Sequence, residues 1–184
     1  IKPNEQSIVM ISRMSWTKGV KEFIEAAEII VNKEKNIHFL LVGPLDVGST
    51  DSISEQYIHD KVQKIDKLQW LGFRKDTINL YGISTISVYP TYYPEGGYPR
   101  GITEPMSMGK AVIATDNDNC KNTIDNGTNG ILVPQEDSVA LANAVLALIR
   151  SPDRLEKIGL SARQKVISEF DEKTIITDLF KKLE

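Results

Sequence analysis

Two glutamates, Glu95 and Glu104, stand either side of a loop that contains Gly96, Gly97, Tyr98 and Pro99. A carboxylate accepts two hydroxyl hydrogen bonds in a planar, bidentate way, so such a pair suits a ligand with vicinal hydroxyls at both ends. Gly96 and Gly97 allow positive φ and let a ligand come close to the backbone. Pro99 prepares a helix that begins near Arg100 or Gly101, with Glu104 in its first turn. The amides of Gly101, Ile102 and Thr103 then stand exposed at a helix N-terminus, where they suit phosphate or sugar oxygens. Taken singly, Glu104 is an ordinary helix N-terminal charge and Glu95 an ordinary solvated loop residue; the combination is what is unusual.

Two cations make a second candidate. Arg13 ends the first apolar run and Lys18 opens the first helical pattern, beside the positive end of a helix dipole. That placement is unfavourable without an anion, so the pair reads either as a diphosphate clamp or as two side chains pointing into water. The next loop, Gly43 to Thr50, nearly matches the phosphate-binding loop of nucleotide hydrolases. Ser49 occupies the place of the required lysine and Asp46 would repel phosphates, which rules that reading out. What remains is a connection whose Gly43 lets a ligand approach the backbone. No strand is followed by a three-glycine dinucleotide fingerprint, which argues against nicotinamide or flavin chemistry.

These residues need elements to hold them. Short continuous apolar runs at Ser7–Ser12, Ile37–Val42, Leu68–Leu71, Ile83–Tyr89, Ala111–Ala114 and Gly130–Val133 read as strands buried on both faces. Helical patterns alternate with them, the clearest from Lys18 to Asn32 with Val20, Phe23, Ile24, Ala27 and Val31 on one face. The alternation predicts an α/β, Rossmann-like, doubly wound parallel sheet whose ligands lie beyond the carboxyl ends of the strands. After Gln135 only helices follow. Asp137 or Ser138 caps one that runs to Arg150, with Val139, Ala142, Leu146 and Ile149 on a stripe. Another restarts at Ser151-Pro152-Asp153 and runs to about Phe170, and an amphipathic helix spans Asp171–Glu184.

Composition narrows the classes. A chain of 184 residues with net charge −3 offers no general field for nucleic acid or anionic lipid, so any anion site is local. Cys120 stands alone, which excludes an internal disulfide and points to a cytosolic protein. His38 and His59 lack metal-ligand spacing, so no metal site is expected. The first residue is Ile1 rather than methionine, and the reading is of one domain from a longer protein.

In order along the chain, "ISRMSWTKGVKEFIEAA", "FLLVG", "LQWLGF", "YYPEGGYPRGITEPMSMGKAVIATD", "DNGTNGILV" and the helical tail resemble the carboxyl-terminal, donor-binding domain of GT-B retaining glycosyltransferases of family 4, the glycosyl transferases group 1. The resemblance covers essentially the whole chain and is strongest to enzymes of bacterial capsule, O-antigen and exopolysaccharide assembly. It implies a catalytic set of Glu95 on the transferred sugar with Arg13 and Lys18 on the donor diphosphate. It implies Glu104 on the ribose, the amides of Gly101, Ile102 and Thr103 on the sugar and distal phosphate, and the nucleobase near Phe73 and Arg74.

The implied partners are a UDP- or GDP-sugar and a glycan or lipid-linked acceptor, the latter held by an amino-terminal domain outside this chain. No cofactor or metal is implied, and the whole protein is expected in the cytoplasm, at the inner face of the membrane. One departure stands out: eight residues separate Glu95 from Glu104 where the family pattern has seven. Two rivals follow. A non-catalytic nucleotide-sugar-binding module accounts for the irregular spacing, whereas an epimerase of GT-B type would carry other loop motifs. Trp16 and Trp70 are expected to pack, and Asn117 to Lys121 to form a polar loop.

Overall fold

A computed structural model describes residues 5–94, 96–171 and 176. Six parallel strands alternate with helices: β1 (Gln6–Ile11), α1 (Val20–Val31), β2 (Ile37–Val42), α2 (Glu55–Lys64), β3 (Leu68–Trp70), α3 (Thr77–Ile83), β4 (Ile86–Tyr89), α4 (Arg100–Ser107), β5 (Ala111–Thr115), α5 (Asp118–Lys121), β6 (Ile131–Val133), α6 (Ser138–Ile149) and α7 (Pro152–Glu169). Their order across the sheet is β3-β2-β1-β4-β5-β6. This is the doubly wound order, in which the chain reverses direction of travel between β1 and β4 and leaves a crevice there.

The pleat divides the strand residues between two cores. Ile8, Met10, Phe39, Leu41, Ala111 and Ile113 point to one face, where Phe23 and Ile24 of α1, Ile58 of α2 and Leu141 and Val145 of α6 meet them. Val9, Leu40 and Val42 face the other side with Leu80 and Tyr81 of α3. Val112 and Ala114 join them there, packed against Ile102 and Met106 of α4 and Ala162 of α7. β1, β2 and β5 are therefore largely apolar on both faces, which is why their runs read as continuous rather than alternating.

Several expected boundaries move. Ile83 ends α3 instead of opening a strand, and β4 starts at Ile86, because Ser84 caps the helix end with both its amide and its hydroxyl on the Tyr81 carbonyl. Of the expected stripe on α6, Ala142 and Leu146 are buried and Ile149 packs against the core, but Val139 stands 56% exposed and Leu141, Val145 and Leu148 are buried as well. The residues after β5 form a short helix rather than a loop, since the Asn117 side chain accepts from the Cys120 amide. Asp137 does cap α6, through the Ala140 amide at 2.8 Å. The helix expected over Asp171–Glu184 lies outside the described residues, apart from Asp171 and Ile176.

α1 begins where only glycine fits. Gly19 has φ of 79°, and a Cβ there would lie 2.2 Å from the Pro90 carbonyl oxygen. That contact sets the start of α1, and with it Lys18, directly under the chain leaving β4. Further out on the same loop, Tyr98 packs its ring on Phe170 at the end of α7, with centroids 4.5 Å apart.

Candidate functional site

The crevice between the carboxyl ends of β1 and β4 holds a cleft of about 540 Å³. Ser12 and Arg13 enter it from the end of β1 and Lys18 from the turn before α1. Arg100, Gly101 and Glu104 face them from α4, and Ile11, Thr77, Tyr81 and Tyr89 complete the lining. Residues read as two separate loops from the sequence thus meet around one space.

The cations are not bare. Arg13 pairs with Asp46 of the β2–α2 loop at 2.8 Å. Lys18 places its ammonium 4.7 Å from the centroid of the Tyr93 ring, a cation–π contact. Its pKa lies below the ordinary lysine value, first because burial disfavours the charge and then because Arg13 repels it; Asp46 and Asp51 pull it back up. Asp46 is the residue that sequence reasoning misread: it is the resident partner of a cation, not merely an obstacle to phosphate. The sole signal for it was an acidic residue in the loop next to the cation loop.

A hydrogen-bond knot fixes these loops. The Thr17 carbonyl accepts from the Thr91 hydroxyl at 3.1 Å and from the Tyr92 and Tyr93 amides at 2.9 and 3.1 Å. Thr17 in turn donates its hydroxyl and amide to Asp51. The Thr91 carbonyl accepts from the Thr115 hydroxyl and from Asn117 Nδ2. None of these residues announces itself in the sequence, because each acts through a neighbour distant along the chain.

On the opposite wall, α4 starts at Arg100 with Pro99 before it. Glu104 is its fifth residue and so lies beyond the first turn, where it was expected; there it is held by its own helix. Arg100 Nε and Nη2 donate to Glu104 Oε1 at 2.9 and 2.7 Å. Pro105, also past the first turn, lacks the amide that would have bonded the Gly101 carbonyl. The Tyr81 hydroxyl is held protonated well above its usual range, by burial first and by the Glu104 charge second. Gly101 lies flat on Tyr89: a Cβ would be 2.6 Å from its ring, so glycine lets α4 sit against β4.

Five expected residues do not line the cleft. The Ile102 and Thr103 amides both donate to the Pro99 carbonyl, at 2.9 and 3.0 Å, because they already belong to the helix ladder. Gly43 stands where packing itself requires glycine. Its φ is 143°, a Cβ would be 1.7 Å from the Ser12 carbonyl oxygen, and its own amide and carbonyl engage Gly72 and the Trp70 indole. Phe73 is 65% exposed and Arg74 is paired with Asp76 in a two-bond fork. Glu95 lies outside the described residues. Trp16 packs as expected, edge-on to Tyr57 with centroids 5.1 Å apart.

A doubly wound parallel sheet with a cationic loop, a helix-borne carboxylate and a glycine-lined wall at its switch point defines a Rossmann-like α/β class. Within that class the chain belongs to the glycosyl transferases group 1, whose family model matches residues 1–165. It is 28% identical over 172 residues to the N,N'-diacetylbacillosaminyl-diphospho-undecaprenol alpha-1,3-N-acetylgalactosaminyltransferase of Campylobacter jejuni, covering 91% of this chain and 42% of that protein. It is 25% identical over 169 residues to the capsular polysaccharide biosynthesis glycosyltransferase CapM of Staphylococcus aureus, covering 92% and 43%.

Among solved structures, Anabaena Alr3699/HepE in complex with UDP and glucose superposes with a TM-score of 0.86 at 25% identity, covering 98% of this chain and 48% of that one. The sucrose-phosphate synthase of Thermosynechococcus elongatus does so at 0.82 and 25%, covering 100% and 46%. These neighbours are GT-B glycosyltransferases. The chain spans less than half the length of each relative. Among the described residues no helix is long and apolar enough to cross a membrane.

Proposed function

We propose that this chain is the donor-binding half of a retaining family 4 glycosyltransferase, which moves a sugar from a UDP- or GDP-sugar to a glycan or lipid-linked acceptor in bacterial surface polysaccharide synthesis. The observation that carries the reading is the single cleft in which Arg13 and Lys18 face Glu104 across Gly101. Two cations at one wall match a diphosphate, and a helix-held carboxylate at the other matches the vicinal hydroxyls of a ribose. The Anabaena neighbour is described with UDP in complex, and the Campylobacter and Staphylococcus relatives by names that place them in glycan assembly.

In this reading the acceptor hydroxyl attacks the sugar on the face that the nucleoside diphosphate leaves, and a phosphate oxygen takes the hydroxyl proton. Arg13 and Lys18 stabilise the charge that gathers on the leaving diphosphate, a role that needs positive groups but no added metal. Glu95 contacts the transferred sugar, and an amino-terminal domain supplies the acceptor site at the cytoplasmic face of the membrane. Calorimetry of UDP and GDP with EDTA present tests the donor site. Binding that survives chelation is the expected result, and affinity that vanishes with EDTA removes the metal-free clamp.

A second reading has one observation behind it. The eight-residue interval between Glu95 and Glu104 fits a module that binds nucleotide sugar without transferring it. A full-length protein that binds donor yet shows neither transfer nor slow donor hydrolysis decides for the module.

A further inference from the structure

Asp46 and Arg13 are unequal partners. The arginine side chain is 54% exposed at the cleft mouth and the aspartate only 13%. The loop that carries Asp46 is pinned to the cation loop along its length. Met14 donates its amide to the Pro44 carbonyl at 2.9 Å, Ile53 to Met14 at 3.0 Å and Trp16 to Asp51 at 3.0 Å. Behind it, Gly43 leaves no room beside the Ser12 carbonyl. The guanidinium is therefore free to turn toward a ligand, while the carboxylate stays where it is. Its charge also reaches Lys18, whose pKa it raises against the effect of burial. One fixed anion thus acts on both Arg13 and Lys18.

We propose that Asp46 is a resident counter-anion that holds Arg13 when no nucleotide is bound, yields it to a bound diphosphate, and then repels that diphosphate and hastens its departure. The inference rests on Arg13 and Lys18 being the diphosphate clamp. A nucleotide must break an ion pair to enter and then sits beside an unscreened carboxylate. A unit charge about 7 Å away at an effective dielectric of about 40 changes affinity by about tenfold. Asp46 would then be a positioning residue whose main effect falls on product release.

The test titrates UDP, GDP and uridine into the wild-type chain and into Asp46→Asn, with dissociation followed by stopped flow. The expected result is about tenfold tighter nucleoside diphosphate binding through slower dissociation, with uridine unaffected. In an Arg13→Ala background the gain should shrink, because the contested cation is gone. Unchanged or weaker binding by Asp46→Asn overturns the inference and makes Asp46 an orienting partner of Arg13. If the asparagine variant fails to fold, Asp46→Ser carries the same comparison. A wild-type chain that binds neither UDP nor GDP removes the clamp reading and this inference together, whereas binding without the gain removes this inference alone.

Discussion

Lys18, in the turn before α1, and Glu22, in its first turn, lie four residues apart, and burial acts on them in opposite senses. The Lys18 ammonium titrates below the ordinary lysine value, so it loses its charge earlier than an exposed lysine as pH rises. Lys18→Ala should weaken nucleoside diphosphate binding about ten- to a hundredfold, the worth of one charge-assisted contact, while nucleoside alone is unaffected. In wild type that affinity should begin to fall below the normal lysine range, and in Lys18→Arg the fall should be absent; titrations across alkaline pH read both. Glu22 is 4% exposed, and its Oε2 has no hydrogen-bond partner among the described residues. Burial raises its pKa, so folding favours the protonated acid. The resulting penalty is absent below the ordinary carboxylate range. It grows as pH rises toward the folded-state value and is complete above it. Glu22→Gln should therefore raise the melting midpoint by a few degrees at neutral pH and leave it nearly unchanged in acid. A midpoint equally altered at both pH values would count against an ionised, buried carboxylate.

At the scale of the elements, glycine decides how closely loops cross. Gly43→Ala would force a Cβ into the Ser12 carbonyl oxygen at a φ that side chains avoid, and should cost about 3 kcal/mol or more in chemical denaturation. Gly96→Ala meets open space and should be close to neutral. The sequence alone could not separate these two glycines, since both follow strands in loops that look ligand-facing. The strands and long helices were legible because apolar runs buried on both faces and one-sided stripes are local patterns. Ile83 misled because its apolar neighbours continue from helix into strand, and Val139 because α6 is apolar on nearly every side. In the site, Arg13, Lys18, Gly101 and Glu104 were legible from residue type and position after a strand. Asp46, Tyr81 and Thr91 were not, because their importance comes from contacts between segments far apart in sequence. The helix start near Arg100 was legible too, but not that the Ile102 and Thr103 amides would both turn onto the Pro99 carbonyl.

For the whole molecule, the two glutamates separate transfer from binding. Glu104→Gln should weaken UDP and UDP-sugar alike, by roughly tenfold, because a carboxylate that accepts twice becomes an amide that accepts once. Glu95→Gln in the full-length protein should leave nucleoside diphosphate affinity intact and lower turnover. Unequal loss of UDP and UDP-sugar in Glu104→Gln would move that residue from ribose to sugar. The knot around Thr17 and Thr91 carries a consequence for the order of folding. Its members lie 74 residues apart from Thr17 to Thr91, 34 from Thr17 to Asp51 and 26 from Thr91 to Asn117. Such long closures become favourable only after the strands between them are side by side. In pulse-labelled hydrogen exchange during refolding, the Tyr92 and Tyr93 amides should therefore gain protection after those of β1 and β2. A half-folded chain would already possess a core and still lack the cleft.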